Sequence, residues 1–522
     1  MADGNLDPAI AALLADPATY GLAPGTPVTR IDTHAAAVFL AGTRAFKVKR
    51  PVRYSYLDYG TLAKREAACR AELAVNAPFA AALYLGVVPV TRQAAGTLAL
   101  GGTGEVVEWL VEMHRFDETM TLDHLAETGE LSEPLIDALA ETVAAGHARM
   151  PAADAAAWIA ALASYAADDR ATFHAAHDLF PPDEAARLDA ATTAALHRNA
   201  ALILARGRRG LVRRCHGDLH LGNVALVDGR PLPFDAIEFD PLIATGDVLY
   251  ELAFLLMDLV ARGCRRSACR LLNQYLLDPH LLAPGRDDDL DGLAALPLFL
   301  SLRAQIRAKV ALARRTLTSG AASVAATHDA MRYFRLAGAA IAPPPPHLFV
   351  VSGLSGTGKS SVAQAIAGRL LPLPGALILR SDVERKRLYG VPATARLPAD
   401  AYRPEVTARV YRRLAERAQR ALEAGHSVVV DAVFARPDER AALAALGAAC
   451  GVPARGVWLE APLDVRRARV AGRRHDASDA DAAVVEFQDG LETGPLDWPR
   501  VDAGGPLESV VRRAMAALGG PW

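Results

Sequence analysis

Lysine is scarce in this chain of 522 residues. Only six occur, at positions 47, 49, 64, 309, 359 and 386, and the rest of the 57 basic residues are arginine. With alanine abundant, the bias is that of a GC-rich genome, so each retained lysine is the more informative. Cysteine is sparse too. The five cysteines (Cys69, Cys215, Cys264, Cys269 and Cys450) form no CxxC pair, which excludes a cysteine zinc site and fits a reduced compartment. Charge of one sign is missing. A balance of 57 basic against 59 acidic residues, net −2, excludes a nucleic-acid coat protein or a polybasic membrane binder. A long apolar run is also missing. The most apolar helical stretch, 249–261, carries Glu251 and Asp258, and is too short and too charged to span a bilayer. The acidic N-terminus has no basic region or apolar core of a secretory signal. A cytoplasmic protein without a membrane partner is expected.

What remains is ordinary globular composition, 52 % hydrophobic and 22 % charged. At about 100–200 residues per domain the length suits roughly three units. Four prolines at 343–346 favour stiff polyproline II and cannot continue a helix or a central strand. They predict a linker over 341–347 between parts at 1–340 and 348–522. In the first part, 28–113 alternates short apolar runs with turns around one helix at 62–76, which predicts a small mixed sheet. The helical period returns over 119–210 and 246–340, around two short apolar runs at 211–240. This divides the part into a β-rich lobe, about 1–113, and a helical lobe, about 114–340.

The segment His216-Gly217-Asp218 is followed by Asn223 five residues on, and Asp235 twelve residues later ends an apolar run. Phosphoryl transfer requires a carboxylate to orient or deprotonate an acceptor hydroxyl. It also requires oxygen ligands that hold Mg²⁺ against nucleotide phosphates. This pattern resembles the aminoglycoside phosphotransferase family, whose fold is that of the protein kinases. The resemblance implies that Asp218 is the catalytic base and that Asn223 and Asp235 bind Mg²⁺. Protein kinases have His-Arg-Asp and Asp-Phe-Gly; here stand His-Gly-Asp and Asp-Ala-Ile-Glu, as in the small-molecule branch. Glu238 and Asp240 extend the acidic cluster, as further contacts or as a solvated turn. On the strand around 45–49, Lys47 and Lys49 share one face. One of them reaches the nucleotide phosphates, with Lys47 preferred, and Glu66 suits its carboxylate partner. Asp247 resembles the family's brace for the catalytic loop. The backbone at 112–116 falls where adenine would bind. No GxGxxG loop precedes the lysine strand.

A second motif has its required setting. The apolar run 348–351 leads into Gly353-Leu-Ser355-Gly356-Thr357-Gly358-Lys359-Ser360-Ser361 and then a helical stretch. This is G-x-x-x-x-G-K-S between strand and helix. Its backbone N–H groups curl around phosphates at a helix N-terminus; Lys359 reaches the β/γ-phosphates and the Ser360 hydroxyl ligates Mg²⁺. Asp382 follows a second short strand, where its carboxylate can face a γ-phosphate and an acceptor hydroxyl. Asp431 ends a third strand, and 457–459 is a fourth. Arg466, Arg467, Arg469, Arg473 and Arg474 crowd a helix and the loop after it, as in a lid that closes on phosphates. Arg469 and Arg473, at i and i+4, are the best lid candidates. His426 reads as a turn residue and Trp458 as core. The set resembles the small P-loop kinases related to polynucleotide kinase, zeta toxins and gluconate kinase. That resemblance implies Asp382 as base, Arg385 as substrate contact and Asp431 in the second metal-binding position. The chain lacks the second acid and the length of an AAA-type motor.

The expected architecture is an α+β protein-kinase-like bilobal domain followed by an α/β P-loop domain with a parallel sheet flanked by helices. The expected activity is phosphoryl transfer from ATP (or GTP), with Mg²⁺, to a hydroxyl of a small molecule: a sugar, an aminosugar or a nucleoside-like acceptor. One domain or both transfer phosphate. Two alternatives stand beside this: an RNA- or DNA-end kinase, and a pair in which one domain senses nucleotide for the other. From 347 onward 24 basic residues face 20 acidic ones, which suits a phosphate lid and does not favour a nucleic-acid track. Oligomeric state is left open.

Overall fold

The computed structural model describes residues 5–54, 57–277, 289–473 and 476–519. The chain packs as two compact units, Met1–Ser164 with Ile203–Leu255, and Tyr165–Leu202 with Leu256–Trp522. No described helix is long and apolar enough to cross a membrane.

In the first unit, six antiparallel strands form a sheet in the order Val28–Asp32, Ala36–Ala41, Arg44–Lys49, Glu105–His114, Tyr84–Arg92, Leu98–Leu100. Side chains alternate across a strand, and Arg44–Lys49 uses both faces. Phe46 and Val48 share a core with Ile10 and Leu14 of the helix Pro8–Ala15. Lys47 and Lys49 point to the opposite face, where both meet Glu72 of the helix Leu62–Ala80. That helix starts where Thr61 accepts a hydrogen bond from Lys64 N, an N-cap. Its buried stripe is Arg65, Ala68, Cys69, Glu72, Asn76 and Phe79, the i, i+3/i+4 spacing of one helical face. Farther on, Val212–Arg214 pairs with Thr245–Asp247, and Val224–Val227 with Arg230–Pro233. The segment 215–223 is held between these two ladders.

In the second unit, the helices Leu296–Leu317 and Gly320–Ile341 pack along one another. Residues 342–346 then lead to the strand Leu348–Gly353. This strand is central in a five-stranded parallel sheet of order Leu377–Arg380, Val428–Asp431, Leu348–Gly353, Ala454–Glu460, Arg500–Asp502. On one face Phe349, Val351, Val429, Val457 and Leu459 bury against Val362 and Ile366 of the helix Lys359–Ala367 and Val511 of Leu507–Leu518. The helices Pro404–Glu423 and Pro437–Ala449 pack on the strands Val428–Asp431 and Ala454–Glu460. Trp458 is buried, as core. In such a sheet the ligand crevice lies beyond the carboxyl ends of the strands, where the strand order reverses.

Candidate functional site

The first unit gathers a chain of charges across its sheet. Lys47 Nζ lies 2.9 Å from Glu72 Oε1 and 2.5 Å from Asp235 Oδ1. Lys49 Nζ lies 2.5 Å from Glu72 Oε2 and also pairs with Glu238. Tyr59 OH donates to Glu238 at 2.5 Å. Burial opposes both lysine charges, but the surrounding carboxylates, Asp235 and Glu72 for Lys47 and Glu72 for Lys49, raise both pKa values. Desolvation would raise the Asp235 carboxyl; Lys47 overrides it and holds the group at about 2. Asp235 has φ +61°, a left-handed conformation that costs a non-glycine residue energy and clusters at functional sites. Its N–H donates to Tyr84 OH at 3.0 Å, and the next N–H donates to Asn76 Oδ1 at 3.0 Å.

The loop 215–223 is shaped from beneath. The N–H groups of His216 and Gly217 donate to the buried Glu251 carboxylate. His216 is buried with Nε2 2.8 Å from Phe234 O, and burial lowers its pKa to about 4. Gly217 has φ +89°, and a Cβ there would sit 3.1 Å from Ala244 Cα. Asn223 Nδ2 donates to Asp218 O at 2.9 Å and to Asp218 Oδ2 at 3.1 Å. His220 Nε2 lies 3.6 Å from the same carboxylate oxygen. The Asn223 amide oxygen and the Asp235 carboxylate are oxygen donors of the kind a hard cation takes.

The second unit holds a cavity of about 1190 Å³ lined by Gly356, Gly358, Lys359, Asp382, Asp431 and Arg473, among others. Gly353, Gly356 and Gly358 have φ +138°, +85° and +89°, so the loop 353–360 takes its curl only with glycine at these points. A Cβ on Gly356 would lie 2.6 Å from Arg466 O. Lys359 Nζ donates to Leu354 O at 3.0 Å, and burial lowers its pKa while Asp431 and Asp382 pull it up. Ser360 Oγ donates to Asp431 Oδ2 at 2.5 Å, a hydroxyl and a carboxylate that fit a divalent cation. Burial, then the charge of Asp431, raises the Asp382 pKa; Arg380 and Lys359 oppose them. Arg380 reaches Asp431 at 3.3 Å and Asp476 at 3.2 Å. Arg469 Nη1 donates to Thr357 O at 3.3 Å. Arg473 lines the same cavity, with its buried Nη1 lacking a hydrogen-bond partner among the described residues. The loop carrying Asp476 is strapped down at Asp479, which accepts from Lys386, Tyr402 OH and, at 3.0 Å, Leu397 N.

Several sequence expectations change. Glu66 does not meet either sheet lysine; it pairs with Arg70 one turn on, at 2.9 Å. Glu72 takes that place because it lies on the helix's buried stripe, whereas Glu66 is about 100° round from Arg65. Asp247 pairs with buried Arg206 at 2.6 Å and accepts from Leu249 N, and the loop's backbone is braced by Glu251. Glu238 is a buried ion-pair partner and Asp240 caps its own turn. Arg385 lines the cavity, and there it also donates to Ala401 O at 2.7 Å and Thr407 Oγ1 at 3.2 Å and stacks on Tyr402. Arg466 is buried against Asp489, and Arg467 pairs with Glu486 on the surface. Arg474 lies outside the described residues. Ser355, Thr357, Ser360 and Ser361 line the cavity with the glycines. Sequence reasoning missed Gln488, whose Oε1 accepts from Ser355 N at 2.7 Å. Glu72 had a signal, an acid inside an apolar stripe; Gln488 had none.

Residues 57–287 match a family model described as "Phosphotransferase enzyme family", and residues 348–491 one described as "AAA domain". An uncharacterized protein of Mycobacterium tuberculosis is 30 % identical over 496 residues, covering 92 % of this chain and 94 % of its own length. One of Mycobacterium bovis matches to the same extent. Among solved structures, a gluconokinase from Sinorhizobium meliloti is 28 % identical, covering 33 % of this chain and 92 % of that one, with a TM-score of 0.23. A choline/ethanolamine kinase family protein from Mesorhizobium loti is 14 % identical, covering 62 % and 97 %, with a TM-score of 0.33. The chain belongs to the family of these mycobacterial proteins, and within it joins a phosphotransferase-family domain to a P-loop kinase domain as an ATP-dependent kinase.

Proposed function

We propose that the P-loop site transfers the γ-phosphoryl group of ATP to a hydroxyl of a small polar molecule, a sugar, aminosugar or nucleoside-like acceptor, and that the first unit holds a second site of the same reaction class. One observation carries this reading: a carboxylate of raised pKa, Asp382, shares a single cavity with Lys359, Ser360, Asp431 and the partly unpartnered Arg473. Asp382 accepts the hydroxyl proton as the acceptor oxygen attacks. Backbone N–H groups of 356–360 and Lys359 hold the phosphates, and Arg473 and Arg469 stabilise charge that develops on the transferred group. When bound, Mg²⁺ supplies charge neutralisation between the phosphates, and Ser360 and Asp431 would hold it. In the first unit Asp218 is the corresponding base, Lys47 braced by Glu72 meets the phosphates, and Asn223 and Asp235 are the cation ligands.

The test is phosphoryl transfer from ATP into a pooled bacterial metabolite extract, read by mass spectrometry, with Asp218→Asn and Lys359→Ala beside the parent chain. Each variant is expected to lose a different phosphorylated product. A product lost in one variant alone assigns transfer to that unit. No product from the parent chain overturns the small-molecule reading.

A further inference from the structure

We infer that Asn273, on a helix far from the P-loop in sequence, is a positioning residue for Asp382 and so for phosphoryl transfer at the P-loop site; this rests on the reading of that site given above. Leu377–Arg380 is an edge strand of the parallel sheet. Its inner side is paired: Leu377 N donates to Ser427 O at 2.9 Å. Its outer side would present unpaired backbone groups, the usual liability of a sheet edge. The side chain of Asn273, on the helix Arg265–Leu276, fills that gap. Its Oδ1 accepts from Ile378 N at 2.7 Å, and its Nδ2 donates to Ala376 O at 3.0 Å and to Cys269 O at 2.9 Å. Asn273 is buried, so all three bonds are made away from water and losing any one leaves a buried polar group unpaired.

The fit is close around it. Cys269, one turn earlier, is 2 % exposed and lies in the same core as Phe349 and Ile366. A Cβ on Gly375 would meet Cys269 Sγ at 2.8 Å. Arg265 Nη2 donates to Leu370 O at 2.9 Å. Beyond the strand, Arg387 of the helix Ser381–Leu388 donates to Leu277 O at 2.7 Å. Asp382 therefore stands between two points of attachment, Ile378 four residues before it and Arg387 five residues after. The gripping helix lies in the match to the phosphotransferase family, and what it grips lies in the match to the P-loop domain. A segment of one domain's sequence sets the register of the other domain's base.

The experiment uses the full chain with Asp218→Asn in the background, so that turnover of ATP to ADP reports the P-loop site. Asn273→Ala is expected to lower kcat about ten-fold, with KM for ATP within about three-fold, because a misplaced base costs rate whereas the phosphate loop is on other strands. Hydrogen exchange at the Ile378 amide is expected to speed up. Asn273→Asp is expected to recover toward the parent rate as pH falls, because only the protonated carboxyl can donate to Ala376 O. An unchanged kcat in Asn273→Ala overturns the proposal. Equal loss of kcat and ATP affinity with a collapsed melting temperature also overturns it, in favour of a purely structural role. Full turnover by Lys359→Ala overturns the P-loop reading itself, and the role of Asn273 falls with it.

Discussion

Glu72 is the residue on which the first unit's charges converge. It is fully buried and within 2.9 Å of Lys47 and 2.5 Å of Lys49. Removing one member of a buried ion cluster strands the others, at about 3 kcal/mol or more. Glu72→Gln is therefore expected to lower stability by about that amount in urea unfolding and to weaken ATP binding by the first unit. Glu66→Gln removes one partly exposed i,i+4 pair and is expected to cost under about 0.5 kcal/mol. Lysines repay the attention their scarcity suggested. Lys47, Lys49 and Lys386 sit in buried or half-buried ion pairs, Lys309 pairs with Asp168 and Asp169, and Lys359 is the P-loop lysine. Only Lys64, paired with Asp58, is a plain surface charge. A compact ammonium fits these sites where a planar guanidinium would not. Asp382 carries a prediction of its own. In the role proposed above Asp382 works only when ionised, so its raised pKa is expected to move the acid limb of P-loop turnover above the ordinary aspartate value of about 3.9. Arg380 holds that pKa down, so Arg380→Gln is expected to shift the limb to higher pH in a pH–rate profile.

At the scale of elements, two histidines are buried, His216 in the loop 215–223 and His147 on the helix Glu133–Arg149. Burial lowers His216 to about 4 and His147 to about 3, from 6.5. The unfolded chain then binds more protons than the folded one as pH drops below 6.5, so stability is lost from there down toward the folded values. The loss between pH 7 and pH 5 is about 2 kcal/mol for each histidine by this linkage. Denaturant midpoints measured at the two pH values check it, and His216→Asn is expected to remove about half of the loss. The P-loop and the loop at 216–223 were legible because local sequence fixes them: glycines where φ is positive and a strand before, with a helix after the first and a strand after the second. Glu251, Gln488 and Asn273 were not legible. Each acts on a backbone group 34, 133 and 105 positions away, and a polar side chain gives no local sign of which distant amide it will meet. The structural partners of Arg385 were not legible for the same reason, since Tyr402 and Thr407 come to it only on folding.

At the scale of the whole molecule, the four prolines separate two family matches along the chain but not two packing units. The helices Leu296–Leu317 and Gly320–Ile341 precede the prolines, yet they belong to the same compact unit as the P-loop sheet. So does Arg265–Leu276, whose Cys269 and Asn273 are built into that sheet's core and edge. Sequence reasoning sees the joint because proline stops helices, and misses the packing because core contacts leave no mark in composition. A chain beginning at residue 343 would lose Cys269 from its core, leave Ala376 O and Ile378 N without partners, and expose apolar surface that the helix covers. Cavity formation alone costs about 2–5 kcal/mol for a large side chain, and an uncovered sheet edge pairs with other chains. The segment 343–522 is therefore expected to aggregate or melt well below the full chain. A full chain carrying a protease site at 343–346 is expected, once cleaved, to run as one species in gel filtration, because the contacts on either side of the cut persist. Two separate peaks after cleavage, with an active and stable C-terminal piece, would show that the helices before the prolines are dispensable to the P-loop fold.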